Sequence, residues 1–413
     1  MSQRILFISH RIPYPPNKGD KIRSFNFIQH LACNHDVYLA FMVDNKDDLQ
    51  YIEPLKRFSK NIFFDTISPR LKKITSAIKA LFFSSQPISI PYFYSKKLQH
   101  KIDCFLDSNT IDSVFCFSSP TAEYLYNSRH YNGLLKSIPW LMDFIDVDSH
   151  KWRQYADTNS QPLRWLYKRE ADHLLKYEKR IVKEFQQTLL VSEAEKKLLK
   201  SYIPSANTKA ISNGVDLQYF APGQGVQHHN DVPTIVFTGA MDYWPNIAGV
   251  QWFANAIFPL IREEIPDVQF QIVGGNPSPK VEDLAKIDGI FVVGYVADIR
   301  DYFAAADICV IPLRIARGIQ NKVLEAMAMG KAVVCTADAL EGITAEPGKD
   351  LMVAEDSEAF AKAVIMLLNN ITARKDFGQM ARNCMENNYS WPKVLEHIDD
   401  LLLDASGGQQ DIK

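Results

Sequence analysis

The chain has 413 residues, 46% hydrophobic and 23% charged, a globular composition too long for one ordinary core. Two domains of roughly 200 residues are therefore expected. The net charge of −2 removes any global electrostatic reason to expect DNA or RNA as a partner.

Strands and helices alternate through the first half. Short runs rich in Ile, Val and Phe read as strands buried on both faces: Ile5–Ser9, Val37–Phe41, Ile62–Asp65, Ser113–Phe117, Trp140–Phe144 and Thr188–Val191. Helical stretches separate them, the clearest being Lys21–Ala32 and the charged Leu163–Phe185. After Ile211 a polar stretch with proline and glycine, Asn213 to Pro233, reads as a linker. The second half repeats the pattern, with strands at Thr234–Thr238, Val268–Val273, Ile290–Val293, Ile308–Ile311 and Ala332–Cys335. The fold expected is α/β: two doubly wound, Rossmann-like domains, 1–212 and 213–389, with ligands at the carboxyl ends of their strands in a cleft between them. The last helix, after Ser390-Trp391-Pro392, is expected to cross back to the first domain.

The cysteines Cys33, Cys104, Cys116, Cys309, Cys335 and Cys384 form no CxxC pair and no zinc-spaced cluster, and three of them sit in apolar runs. A reduced, cytoplasmic chain is the simpler expectation. MSQRILFIS enters a strand at once, unlike a signal peptide, and no run approaches about 20 apolar residues. The protein is expected to be soluble, or at most peripheral on the inner face of the cytoplasmic membrane.

The chemistry concentrates in Ile308–Thr336. A buried strand ends at Pro312, a loop with Arg314, Arg317 and Gly318 follows, and a short helix opens near Gln320 and stops at Gly330. Lys322 and Glu325, three apart, share one face of that helix. Free amides after a glycine attract phosphate oxygens, Arg314 and Lys322 can neutralise a diphosphate, and Glu325 can accept from ribose hydroxyls. The same pattern also fits an amphipathic helix whose Lys and Glu merely face water. Three glycine turns end successive strands at Gly239, Gly274-Gly275 and Gly294, pointing to one shared crevice.

In this order, FTGAMDYWPN, IVGGNP, VVGYVAD, IPLRIARGIQNKVLEAMAMGKAVV and LEG resemble the donor domain of GT-B glycosyltransferases of family 4, with NGVD (Asn213–Asp216) at the domain junction. HRIPYPPNKGDKIRSFNFIQHLA, DFIDVDSHKWRQYA and VSEAEKKLL resemble the sugar transferases of PEP-CTERM/exosortase exopolysaccharide systems. The resemblance spans about residues 4 to 400. It implies retaining transfer of a hexosyl group from a nucleotide-sugar to a hydroxyl, on a glycan or lipid-linked acceptor, with no metal and no cofactor. It places Gly239, Asn246, Arg314, Arg317, Gly318, Lys322, Glu325, Glu341 and Gly342 around the donor, and Glu325 at the ribose. Arg317 stands where the wider family often has a second glutamate for the transferred sugar. A nucleotide-sugar 2-epimerase and a catalytically silent glycan-binding protein are the alternatives. A dinucleotide dehydrogenase is disfavoured, since no GxGxxG follows a strand.

In the first half, Asn17, Lys18, Gly19, Asp20 and Arg23 form a candidate acceptor or phosphate loop leading into a helix. The acids of Asp143–His150 follow a strand. Asp146 or His150 can act as a base or contact near the reacting carbon, or the segment can simply cap a helix starting near Ser149. Asp146-Val147-Asp148 also matches the DxD metal motif of another transferase fold, a reading the fold signals oppose. Finally, Leu71–Lys101 mixes lysines (Lys72, Lys73, Lys79, Lys96, Lys97) with aromatics (Phe82, Phe83, Tyr92, Phe93, Tyr94). It reads either as core helix with a solvated face or as a patch for an anionic membrane.

Overall fold

The computed structural model describes residues 2–67, 86–157, 159–225, 232–316 and 318–407. The chain divides into two compact units, one built from Met1–Ile211 with Leu395–Lys413 and the other from Ser212–Val394.

The first unit is a seven-stranded sheet in the order β3-β2-β1-β4-β5-β6-β7. Its strands are β1 (Arg4–Ser9), β2 (Asp36–Val43), β3 (Asn61–Thr66), β4 (Ser113–Phe117), β5 (Trp140–Ile145), β6 (Gln187–Leu190) and β7 (Thr208–Ala210). Every pairing among them is parallel. The central strands are buried because both of their faces are apolar: Ile5, Leu6, Phe7 and Ile8 are wholly covered, and Phe7 stacks on Phe115 at 4.9 Å. The helix Ile398–Gly407 returns to this unit, burying Ile398, Leu401 and Leu402.

The second unit is a parallel six-stranded sheet in the order β10-β9-β8-β11-β12-β13. Its strands are β8 (Thr234–Thr238), β9 (Gln269–Val273), β10 (Ile290–Gly294), β11 (Ile308–Ile311), β12 (Ala332–Cys335) and β13 (Met352–Val353). In each unit the chain winds outward from the first strand and then restarts on its other side. The switch points therefore lie between β1 and β4 and between β8 and β11, where doubly wound sheets bind ligands.

Two strands were absent from the expected set, β7 and β13. Both are short edge strands, and TKA and MV carry too little pattern to register. The expected linker is also different at its start. Val215 N–H donates to Tyr389 O at 2.7 Å, and a Cβ on Gly214 would stand 2.7 Å from the Trp391 ring. NGVD thus begins a packed segment; residues 226–231, with the histidines of QHHN, lie outside the described residues.

Candidate functional site

In the second unit, three glycines end β8, β9 and β10 in one knitted group. Gly239 N–H donates to Val273 O at 3.0 Å and Gly274 N–H donates to Gly294 O at 2.8 Å. A Cβ on Gly274 would stand 1.7 Å from Gly239 O, so no other residue fits without moving the backbone. Beyond Gly239 the helix Trp244–Trp252 opens with Pro245 in its first turn. Its Asn246 Nδ2 donates to Ala240 O at 2.8 Å, and its Oδ1 accepts from Lys322 Nζ at 2.5 Å.

Lys322 lies on the helix Asn321–Ala328, one residue past its start, and its ammonium sits 4.8 Å from the Phe237 ring centre. The side chain of the N-cap, Gln320, donates to Gly318 O at 3.3 Å instead of capping the helix, and its carbonyl accepts from Val323 N–H at 2.9 Å, so only the amides before Val323 are offered to a ligand or water. Asn213 Nδ2 donates to Asn321 Oδ1 at 3.0 Å, so the NGVD motif pins the start of this helix. Gly318, just before it, has φ +59°, which favours glycine.

Burial pulls the Lys322 ammonium down to about 7, although Glu325 opposes the shift. Burial likewise pushes the Glu325 carboxyl up to about 7, against the pull of Lys322. Each group is thus short of partners for its charged form. The Glu325 side chain makes no hydrogen bond among the described residues, so its carboxylate oxygens are available to accept. Arg314 is exposed on the loop after β11, with its guanidinium 5.4 Å from the Trp252 ring. Arg317 lies outside the described residues. Glu341 and Gly342 form the middle of a type II turn after β12, with Gly342 at φ +79° and Ile343 N–H donating to Leu340 O. The structure therefore brings Gly239, Asn246 and Lys322 into contact, with Glu325 one helical turn on.

The first unit places a second polar group at the carboxyl ends of β1 and β5. Gly19 and Asp20 belong to the first turn of the helix Gly19–Asn34, while Asn17 and Lys18 precede it, exposed. Asp20 lies 3.2 Å from His10 Nε2 and 3.3 Å from Arg11, and Arg11 also lies 3.8 Å from Asp44. Burial raises the Asp20 carboxyl, but the His10 hydrogen bond and the charges of His10 and Arg11 outweigh it and hold it far below the usual range.

Arg23 corrects the sequence expectation. It is fully buried, with Nε donating to Asp143 at 2.7 Å and Nη1 donating to Ile211 O at 2.8 Å. An arginine so enclosed has no route to a phosphate; it neutralises Asp143, the equally buried acid on β5.

Two non-glycine residues with positive φ, Ser118 (73°) and Ile145 (69°), sit at the ends of neighbouring strands β4 and β5. For β-branched Ile145 this is an outlier, and such strain clusters at functional sites. It turns the chain so that Asp146 follows half-buried, its Oδ1 enclosed without a hydrogen-bond partner among the described residues. Burial, then the nearby Glu195 charge, pushes Asp146 up to about 7. Val147 N–H donates to Glu195 at 2.8 Å, and Glu178 receives Ser149 N–H at 2.9 Å and Ser149 Oγ–H at 2.5 Å. Burial pushes Glu178 up to about 8. His150 Nδ1 lies 2.8 Å from the Tyr202 hydroxyl.

His10, Arg11, Asp44, Glu178 and Glu195 carry no local signal for their roles, because the partners they meet lie on other segments of the chain. His10 and Glu195 do fall inside the motifs HRIPYPPNKGDKIRSFNFIQHLA and VSEAEKKLL. Of the two readings of Leu71–Lys101, the core one fits its described aromatics. Tyr92, Phe93 and Tyr94 pack against the core of the first unit, and residues 68–85 lie outside the described ones.

The chain is similar to several known proteins. Residues 232–370 match the family model described as glycosyl transferases group 1. The chain is 25% identical over 411 residues to an uncharacterized 44.6 kDa protein of the Klebsiella pneumoniae cps region, covering 96% of this chain and 98% of that protein. It is 26% identical over 227 residues to the UDP-Gal:alpha-D-GlcNAc-diphosphoundecaprenol alpha-1,3-galactosyltransferase of Escherichia coli, covering 49% of this chain and 56% of that one. Among solved structures, sucrose-phosphate synthase from Thermosynechococcus elongatus superposes with a TM-score of 0.73 at 17% identity, over 98% of this chain and 100% of that one. Anabaena HepE in complex with UDP gives 0.65 at 15% identity, over 97% and 100%. The fold is GT-B. Together these findings support a glycosyltransferase.

Proposed function

We propose that the chain is a retaining glycosyltransferase of family 4. It moves a hexosyl group from a nucleoside-diphosphate sugar to a hydroxyl of a lipid-linked glycan in exopolysaccharide assembly, working at the cytoplasmic face of the membrane. The observation that carries the reading is the contact of Lys322 with Asn246 beside Gly239, with Glu325 one turn away. A diphosphate seated there gives the Lys322 ammonium the counter-charge that burial denies it, and a ribose gives Glu325 hydroxyls to accept from.

In the reaction, the bond from the anomeric carbon to the diphosphate oxygen breaks and its electron pair leaves with the diphosphate. Lys322, Arg314 and the first amides of the helix Asn321–Ala328 offset that charge, a task that falls to side chains and backbone rather than to a metal. The acceptor oxygen forms the new bond and loses its proton; Asp146 and His150 are the candidates to receive it. Retention rests on the family resemblance. The lipid-linked acceptor is supported by the name of the Escherichia coli relative, and the polysaccharide context by the cps-region relative.

The test is calorimetric titration with UDP-, GDP- and TDP-sugars, followed by transfer to a lipid-diphosphate-linked sugar. Binding of one nucleotide class and loss of transfer in Glu325→Ala are expected. Undiminished transfer in that variant, or isomerisation of the donor without acceptor, overturns the assignment.

A further inference from the structure

Two helices of the first unit, Asp148–Asp157 and Leu163–Glu184, form a hairpin. At its base Ser149 is bonded to Glu178, while further out Trp152 and Tyr155 pack on Tyr167 at 5.3 and 6.2 Å. The second helix buries Glu170, Ala171, Leu174, Tyr177, Glu178 and Ile181, so its first two turns extend past the core. There Leu163 is 45% exposed and Trp165 53% exposed.

Trp165 points away from that buried face, and Lys168 and Arg169 lie three and four positions on, beside it. Arg164 and Lys168 are exposed and make no ion pair among the described residues. From Lys151 to Arg169 the hairpin carries five basic residues (Lys151, Arg153, Arg164, Lys168, Arg169) against one acid, Asp157; Arg153 is paired with Asp172 at 3.1 Å, which leaves Arg164 and Lys168 as the exposed cations at the tip. A large exposed indole flanked by two exposed cations is poorly suited to a dry protein interface, whose core is depleted of charge. It suits a layer that takes an apolar ring at shallow depth and offers phosphates around it.

We propose that the tip of this hairpin docks on the surface of an anionic bilayer, with Trp165 and Leu163 inserted among the headgroups and Arg164 and Lys168 paired with lipid phosphates. No helix among the described residues is long and apolar enough to cross a membrane, so the contact is interfacial. The first helix has ten residues and so spans about 15 Å. Asp148 and His150 at its start are thereby held about that far from the headgroups. This last point rests on the proposed function: a lipid-linked acceptor reaches them only if its anchor lies close by.

The experiment is sedimentation of the full chain with vesicles of pure phosphatidylcholine or of phosphatidylcholine with phosphatidylglycerol. Binding only to the anionic vesicles, falling with added salt, is expected. Arg164→Ala with Lys168→Ala should weaken it roughly thirtyfold, at about one surface cation's contribution each. Trp165→Ala should weaken it about tenfold. Arg57→Ala with Lys60→Ala removes two basic residues elsewhere in the unit and should change nothing. Thermal unfolding of each variant separates loss of docking from loss of fold. Undiminished binding by the folded tip variants overturns the proposal, as does failure of the parent chain to bind anionic vesicles. So does a Trp165-dependent dimer in sedimentation velocity, which reassigns the tip to contact between copies. Because no sugar or nucleotide enters the assay, vesicle binding stands or falls separately from glycosyl transfer.

Discussion

Lys322 Nζ donates to Asn246 Oδ1 at 2.5 Å, and a Cβ placed on Gly239 would stand 3.1 Å from that nitrogen and 2.8 Å from Asn246 Nδ2. Two segments 76 residues apart, Gly239–Asn246 and the helix start at Lys322, therefore define one small polar seat. Lys322→Ala should weaken UDP binding by about 2 kcal/mol, the scale of one hydrogen bond to a charged group, or roughly thirtyfold. Calorimetry at pH 7 measures it, and an unchanged affinity removes Lys322 from the donor site.

Gly239→Ala and Gly274→Ala should differ in kind. The first adds backbone strain at φ +155° and pushes on two side-chain ends, Asn246 Nδ2 and Lys322 Nζ, so it should lower both stability and nucleotide binding. The second drives a Cβ to 1.7 Å from Gly239 O, which only backbone movement relieves. Gly274→Ala should lower the unfolding free energy by more than Gly239→Ala, read as the urea midpoint of each variant.

In the first unit, Arg23→Met should cost about 3–5 kcal/mol, because it leaves Asp143 charged and enclosed without its partner. Denaturant titration reads this out. A loss below about 1 kcal/mol means that Asp143 is held by something else.

The raised carboxyls set a pH dependence of definite sign. Glu178 is pushed from 4.5 up to about 8, so the fold favours its protonated form. Its stabilising contribution is complete below pH 4.5 and is lost as the pH rises through about 8. Asp146, raised to about 7, acts in the same direction. The melting temperature should fall as the pH rises from about 4.5 to about 8, and Glu178→Gln, which keeps an acceptor for Ser149 N–H, should flatten that fall. Identical slopes in the two proteins refute the assignment.

Asp146→Asn should cut transfer by about 100-fold or more if Asp146 receives the acceptor proton. The same variant should leave UDP affinity within about twofold, since Asp146 and the donor residues belong to different units. Equal losses in both measurements would mean that the substitution disturbs the fold.

The strands were readable because each is a short apolar run ending in glycine or a polar turn; Ser113–Phe117, Thr234–Thr238, Ile308–Ile311 and Ala332–Cys335 coincide with the observed bounds. Lys322 and Glu325 were readable because helical spacing alone puts them on one side. Arg23 was not, because nothing local distinguishes an arginine that faces a ligand from one that neutralises an acid 120 residues away. The same limit hid His10 and Glu195, whose partners are set by the sheet order. The exposed Trp165 went unremarked because the apolar spacing of its helix looks alike whether or not a core extends beneath the first turns.

The return of Ile398–Gly407 to the first unit makes the second unit an insertion within the first. A ribosome must therefore deliver the whole of Ser212–Val394, about 10–40 s of synthesis, before the first unit receives its closing helix. Until then the pocket for Ile398, Leu401 and Leu402 stands open on a sheet already made. The second unit can mature first, and chaperone demand should fall on the half that was translated earlier.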